Sequence, residues 1–532
     1  MRKFSSYGPV DTDLHYYVAR QALIDSAVQH LVGEDPEKGG HYITVWAPRQ
    51  RGKSWIMQQT LWRLQSEPQY ASFDVLKLSL EYLKLEKNLD SIVQSIGEEI
   101  ITKLALTNVQ VNSLKDLYQL FRHGVLVKPL LLILDEFDAL SSEAISGIVS
   151  ILRNIYNVRR DQQNKPTEAK EYLLHGVALI GVRGVLGLEN QRGSPFNVQR
   201  SLHIPNLTQA EVEQMFQWYE QESGQQVEPI VIARLYAELR GQPGLTSWLG
   251  ELLTETYNER RPTITMDDFE IAYAAASSLL PNANILNLIN KAKDEPQRSF
   301  VIDLFQSDEK IEFTYDDPVI NFLYMNGVID EEVVDKRQYY VKFPCPFVQK
   351  RLFNHFARDI FRETGQLYPP FTDLTDVFTA NGLGVTSMLR HYERYLQQNH
   401  TWLFKEAPRR VDLRLYEAVY HFNLFMWLSR FLQRPGGRVF PEFPTGNGQI
   451  DLLIQYQGQM YGLELKSFSN DFEYRTALQQ AARYAYQLQL TTITVVFFVE
   501  AIDDATRAKY EAPYRDPQQG IIVQPIFITT VE

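Results

Sequence analysis

Gly52, Lys53 and Ser54 stand in the stretch His41 to Trp55, HYITVWAPRQRGKSW. A glycine, an ammonium and a hydroxyl in that order suit a polyphosphate. Backbone N–H groups at a helix start face the anion, the lysine reaches its terminal phosphates, and the hydroxyl holds Mg²⁺. The flanks agree, because the apolar run Tyr42, Ile43, Val45, Trp46 precedes the turn and IMQQTLWRL follows it with apolar residues at helical spacing. Strand, loop and helix in that order are the setting of a phosphate-binding P-loop, with Arg51, Gly52, Lys53, Ser54 and Trp55 as its contact residues. Ala47 replaces the first glycine of G-x-x-x-x-G-K-S, so the turn there must form without a positive φ, and Arg49 and Arg51 crowd the loop with charge.

A second element supplies acids for the same chemistry. In KPLLLILDEFDAL the aliphatics Leu130 to Leu134 suit a strand buried on both faces, and Asp135 and Glu136 stand at its carboxyl end, where open α/β sheets bind ligands. Asp135 is the residue expected to hold Mg²⁺, usually through water, and Glu136 the one to orient an attacking water, with Asp138 behind them. A further apolar strand, 177–182, ends at Arg183, which could sense a γ-phosphate, and Arg192 could be a second anion ligand.

The other constellation lies far downstream. In RVFPEFPTGNGQIDLLIQYQGQMYGLELKSF, Glu464 and Lys466 are two apart on one strand and so share a face, where Asp451 of the neighbouring strand can join them across a Gln-Gly turn. Two carboxylates and a lysine can bind a divalent ion, activate water and steady the charge of a phosphodiester under attack. Glu417 on the preceding helix and Gln480 with Tyr484 on the following one add polar groups at helical spacing. The bland alternative is a solvated hairpin with a surface ion pair. Lys405, Arg409, Arg410, Arg414, Arg430, Arg434 and Arg438 outnumber the acids Glu406, Asp412 and Glu417 between 401 and 440; this is either a phosphate-attracting patch or a solvated helix face.

These residues need elements to position them. Alternating strands and helices over residues 1–205 predict a parallel sheet with helices on both faces, an α/β ATPase core. Residues 206–280 read as a helical lid, opened by a Thr208–Glu211 capping box and broken at GQPG. Residues 281–365, running helix, helix, strand pair, helix, suggest a winged helix; such folds can bind DNA or serve as packing elements, and packing is favoured because no basic recognition helix stands out. Residues 366–532 carry an αβββαβ order. The charged run 159–171 looks like a mobile loop.

Composition bounds the rest. A chain of 532 residues with 44% hydrophobic and 22% charged residues buries real cores in several domains. A net charge of −12 excludes an indiscriminate nucleic-acid coat and leaves only regional contact. A single cysteine, Cys345, forbids an internal disulfide, and no signal-like or membrane-spanning apolar run is present, so a cytoplasmic location is expected.

YYVAR, APRQRGKS, LLLILDEFD, VALIGVR, SPFNV and GQPG together resemble the AAA-like members of the STAND class of P-loop ATPases, over residues 1 to about 360. The resemblance implies that the segment Tyr17 to Arg20 lies against adenine, that Arg183 senses the γ-phosphate, that Pro243 touches the nucleotide from the lid, and that ATP and ADP states differ in how lid and winged helix dock. It also implies homo-oligomerisation in the ATP state and a defence role against foreign nucleic acid. Ala19 replaces a usual glycine, and FPCPF at 343–347 replaces a histidine and aspartate found in some relatives. Residues 401–500 resemble the PD-(D/E)xK nuclease superfamily, with Glu417, Asp451, Glu464, Lys466, Gln480 and Tyr484 matching its pattern. The expected protein is an ATP-controlled nuclease that uses ATP/ADP, Mg²⁺ and, at the nuclease site, Mg²⁺ or Mn²⁺. It hydrolyses ATP slowly, acts on nucleic acid, with DNA rather than RNA the expected substrate but the choice left open, and has no membrane partner. The alternative is a nucleotide-dependent scaffold whose nuclease-like domain binds without cleaving.

Overall fold

A computed structural model describes residues 1–181, 200–306, 310–335, 338–409, 417–442, 451–468 and 470–530. They divide into two compact units, Met1–Leu279 with Tyr315–Gly327, and Leu280–Thr314 with Val328–Glu532.

In the first unit, helix α1 (Gln21–Val32) leads to strand β1 (Tyr42–Trp46), α2 (Lys53–Ser66), β2 (Asp74–Ser79), α3 (Leu89–Lys103), α4 (Leu114–Leu120), β3 (Leu130–Asp135), α5 (Ser142–Asp161), β4 (Leu174–Gly181) and β5 (Arg200–His203). The sheet order is β2-β3-β4-β1-β5, and every pairing is parallel. Strand alternation explains the two-sided core. Leu131 and Ile133 of β3 point to a layer built with α1 and α2, while Leu130, Leu132 and Leu134 enter the layer of α3, α4 and α5. Burial on both faces is why β3 is an unbroken aliphatic run.

The segment expected to form a lid follows as α6 (Gln209–Ser223), the short β6 (Gln226–Val227), α7 (Pro229–Leu239), α8 (Pro243–Glu251), β7 (Thr263–Ile264) and α9 (Met266–Ser278). The capping box at Thr208 and Glu211 is formed.

The expected mobile loop at 159–171 is instead held down. Helix α5 runs on to Asp161, and Arg159 and Lys170 are 4% and 3% exposed. Arg159 donates to the Tyr172 carbonyl and to Thr167 Oγ1, and Lys170 donates to the carbonyls of Lys38 and Arg159. The carbonyls of Lys38 in a loop, of Arg159 in the last turn of α5 and of Tyr172 just before β4 take up these charged donors, which sequence composition alone presents as solvated.

The second unit begins with α10 (Ala283–Ala292) and α11 (Gln297–Gln306). After α12 (Pro318–Asn326), which belongs to the first unit, come β8 (Asp330–Asp335), β9 (Gln338–Lys342) and α13 (Pro346–Ile360). The order helix, helix, hairpin, helix is present, but these elements do not stand apart as one module. Tyr324 of α12 packs on Trp46 at 5.8 Å between ring centres, whereas Phe353 of α13 packs on Phe422 and Phe425 at 4.9 and 5.2 Å.

A small hairpin, β10 (Phe378–Thr379) and β11 (Gly382–Leu383), precedes α14 (Val385–Leu403) and α15 (Glu417–Gln433). Then come β12 (Arg438–Glu442), β13 (Asp451–Tyr456), β14 (Gln459–Ser467), α16 (Asp471–Gln487), β15 (Thr492–Val499), α17 (Asp504–Tyr510), β16 (Tyr514–Arg515) and β17 (Ile522–Thr529). The sheet order is β12-β13-β14-β15-β17-β16, antiparallel through β14 and parallel from β14 to β15 and β17. The Gln-Gly turn is real: Gln457 and Gly458 both have positive φ, 48° and 76°, as a tight two-residue hairpin turn requires. No helix of the described residues is long and apolar enough to cross a membrane.

Candidate functional site

The P-loop leaves the carboxyl end of β1. The left-handed conformation that Ala47 could not adopt falls instead on Gln50 (φ 57°) and on Gly52 (φ 87°), which caps α2. Lys53 Nζ folds back and donates to the carbonyls of Ala47 (2.8 Å) and Pro48 (3.1 Å). Its stem is partly open to solvent while the ammonium lies deep, and burial lowers its pKa to about 8 against the opposing pull of Asp138, Glu136 and Asp135.

Ser54 Oγ donates to Asp135 Oδ1 at 3.1 Å. The parallel pairing of β2 and β3 sets Lys77 beside this pair, with Nζ 3.1 Å from Asp135 Oδ2 and 3.3 Å from the Ser54 carbonyl. Lys77 is a site residue that the sequence reading missed. Its only signal is a lysine inside the apolar strand FDVLKLSL. Glu136 follows in a left-handed conformation (φ 57°), its N–H on Asp135 Oδ1 at 3.0 Å. Burial first, then Asp138 and Asp135, hold its carboxyl above the usual range.

Tyr17 donates to Gln59 Oε1 (2.8 Å) and meets Trp55 edge-on at 5.8 Å. Trp55 in turn meets Trp62 at 5.2 Å. Arg20 donates to the carbonyls of Pro205 (2.8 Å) and Asn206 (3.3 Å) and lies 3.7 Å from Glu211, so it fastens the segment that leads into α6. Arg51 is buried, and its charge, after burial itself, helps to lower the His203 pKa to about 4.

Pro243 is the first residue of α8, and this helix start meets the P-loop backbone: Gly244 N–H donates to Gln50 O (3.2 Å) and Gln242 Nε2 to Arg49 O (3.3 Å). A Cβ on Gly244 would lie 2.4 Å from Gln50 Oε1, so glycine is what permits the approach. Arg183 and Arg192 lie outside the described residues. A hydroxyl beside a buried carboxylate, with a lysine folded over the loop, fits a Mg²⁺–nucleotide; Lys53, Ser54 and Asp135 would hold it.

The second site is built on β14. Lys466 Nζ lies 3.0 Å from Glu464 Oε1, and the two residues are 6% and 2% exposed, so this is not the surface ion pair of a solvated hairpin. Glu464 Oε2 is buried and has no hydrogen-bond partner among the described residues. Asp451 opens β13 one step beyond the Leu452–Leu463 rung and is therefore level with Glu464; its side chain, like that of Glu417 at the start of α15, lies outside the described residues.

Glu464 and Lys466 are in register with Val495 and Phe497, which pack under α16. That face brings buried Tyr484 and half-buried Gln480 to the same side. His421 was not singled out from sequence, though it stands one helical turn after Glu417. It is buried with both ring nitrogens unbonded among the described residues, and burial and then the charge of Lys466 lower its pKa to about 3, so the ring is neutral. Among the described residues no group of three His, Cys, Asp or Glu gathers around a metal-sized space. Part of the basic patch is already engaged: Arg430 donates to Thr364 Oγ1 and Arg362 O, and Arg409 to Phe404 O. Arg410 and Arg414 lie outside the described residues.

Residues 5–255 match the family described as an AAA-like domain. The chain thus carries a nucleotide-binding AAA-like P-loop ATPase domain, in agreement with the parallel sheet and the loop just described. No curated protein matches the sequence. Solved structures that resemble it include the Walker-type ATPase PABY2304 of Pyrococcus abyssi, at 13% identity, covering 66% of this chain and 99% of that one with a TM-score of 0.42. Another is the Aeropyrum pernix ORC1 protein in complex with DNA, at 15% identity, 64% and 93% coverage and a TM-score of 0.33. A third is the Thermotoga maritima RuvB Holliday junction branch migration motor, at 13%, 61% and 92%, with 0.34.

Proposed function

We propose that the chain is an ATP-responsive switch of the STAND type controlling a metal-dependent phosphodiesterase that acts on nucleic acid, with DNA favoured over RNA, in a cytoplasmic defence role. The observation that carries the nuclease reading is the buried Glu464–Lys466 pair, level with Asp451 and with one carboxylate oxygen left unbonded. An oxygen buried without a partner costs stability unless a ligand uses it. A bound Mg²⁺ or Mn²⁺ would supply Lewis acidity at the phosphorus. Glu464 and Asp451 would hold that ion, Lys466 would steady the charge on the phosphate oxygens, and Glu417, Gln480 and Tyr484 would position the strand.

In the first unit, Lys53, Ser54 and Asp135 hold the nucleotide, Glu136 orients water, and Tyr17, Trp55, Arg51 and Pro243 enclose it, with Arg183 as γ-phosphate sensor. The contact of Gly244 with Gln50 supports a lid that responds to what the P-loop holds. Hydrolysis is slow, because in a switch the differential affinity of two states does the regulating. The ATP state assembles into homo-oligomers.

The test is to incubate pure protein with plasmid, single-stranded DNA and RNA, with Mg²⁺ or Mn²⁺ and with or without ATP, beside Lys466→Ala and Lys53→Ala. Metal-dependent cleavage lost in Lys466→Ala and unresponsive to ATP in Lys53→Ala is expected. Cleavage that survives Lys466→Ala removes the proposed active site. Retention of nucleic acid without cleavage, equal in both proteins, establishes the scaffold alternative.

A further inference from the structure

Glu442 ends β12, the edge strand, and is in register with Asp451, which is itself level with Glu464. Three carboxylate residues therefore occupy adjacent strands at one level, with steps of about 5 Å between opposed positions. Residues directly opposite one another in an antiparallel pair share a face of the sheet. At the far end of the row, Lys350 of α13 reaches Glu442 with Nζ 3.1 Å from Oε2, its side chain 5% exposed against 20% for the glutamate. Each end of the row thus carries a buried ammonium group, Lys466 beside Glu464 and Lys350 beside Glu442, while among the described residues Glu464 Oε2 lacks a partner.

We propose that Glu442 belongs to the divalent-cation site of the second unit and that Lys350 is its built-in competitor, so that cation binding and the seating of α13 are coupled. The inference rests on the nuclease reading of that site and adds a regulatory element to it.

The reasoning is electrostatic. A dication drawn to the row feels a unit positive charge roughly two strand spacings away, and Glu442 cannot turn to the ion while it holds the ammonium. Helix α13 is not a free surface helix, since Phe353 is locked against Phe422 and Phe425. Loosening Lys350 therefore strains the whole helix seat, and α13 is the element that can report or control occupancy.

The experiment uses the full chain without nucleotide. Mn²⁺ binding is followed by the free-ion paramagnetic resonance signal, and hydrogen exchange of the α13 amides is measured with and without Mn²⁺. Mn²⁺ is expected to speed exchange in the amino-terminal half of α13. Lys350→Met should bind Mn²⁺ about tenfold more tightly, Lys350→Arg like the natural protein, Glu442→Gln about tenfold more weakly, and Glu464→Gln not measurably. If Glu464→Gln abolishes binding while Lys350→Met and Glu442→Gln leave it unchanged, the inference fails and the nuclease reading stands. If the natural protein binds no Mn²⁺, the reading of the site falls, and the inference with it. Should Lys350→Met fail to fold, an α13 exchange pattern indifferent to Mn²⁺ in the natural protein overturns the proposal by itself.

Discussion

Nucleotide affinity should depend on pH through Lys53. Its ammonium is folded onto the Ala47 and Pro48 carbonyls, and burial lowers its pKa to about 8. The charged form binds phosphate, so affinity follows the charged fraction of the free protein. With a pKa near 8 that fraction is about nine-tenths at pH 7 and about one-tenth at pH 9, which makes the apparent Kd for ATP rise about tenfold, roughly 1.4 kcal/mol. Phosphate ionisation adds little, since its last pKa lies near 6. The sign is fixed: a base with a depressed pKa gives up its proton early in the free protein and must take it back on binding, so affinity falls as pH rises through about 8, with proton uptake. The assay is fluorescent-ATP titration at half-unit steps from pH 7 to 9.5 in buffers of different ionisation enthalpy, beside Lys53→Met. A flat Kd across that range, or an equal slope in Lys53→Met, would refute the reasoning.

Asp135→Asn should abolish the Mg²⁺-dependent part of ATP affinity and leave binding in EDTA, because on the proposed reading the carboxylate that Ser54 and Lys77 flank would hold the ion; parallel titrations with and without Mg²⁺ check this. Gly244→Ala should destabilise the first unit by about 1–3 kcal/mol, since its Cβ would lie 2.7 Å from Gln50 Cβ, and Gln50→Gly should restore it; denaturant melts of single and double variants decide. Lys466→Met should cost about 3–5 kcal/mol by stranding Glu464 in the interior, whereas Glu464→Met with Lys466→Met should recover most of that; equal melting of all three proteins would mean the pair is not buried together.

The sites were readable in the sequence to the extent that they are local. The loop from Gly52 to Ser54 lies between a strand and a helix whose apolar periods adjoin it, and Glu464 with Lys466 needs only the alternation of one strand. The apolar run from Leu130 to Leu134 is informative because a short run between Pro129 and the acids Asp135 and Glu136 fits a strand buried on both faces, as it is. His421 escaped notice because a lone histidine in an apolar helix gives no sign of its surroundings. The charged segment 159–171 misled because composition cannot show that carbonyls 11 to 132 residues away wait for its donors. The position of α12 with the first unit, apart from its neighbours in sequence, likewise had no local signature.

By itself the sequence determined the elements, their order, and the residue types able to hold a triphosphate and a divalent ion, since backbone period and turn chemistry act over a few residues. Tertiary structure alone decided that Lys77 flanks Asp135, that Gly244 lies on Gln50, and that Lys350 reaches Glu442 across 92 positions. Charge pairing and close approach depend on distance in space, and only the packed sheets and helices set that distance.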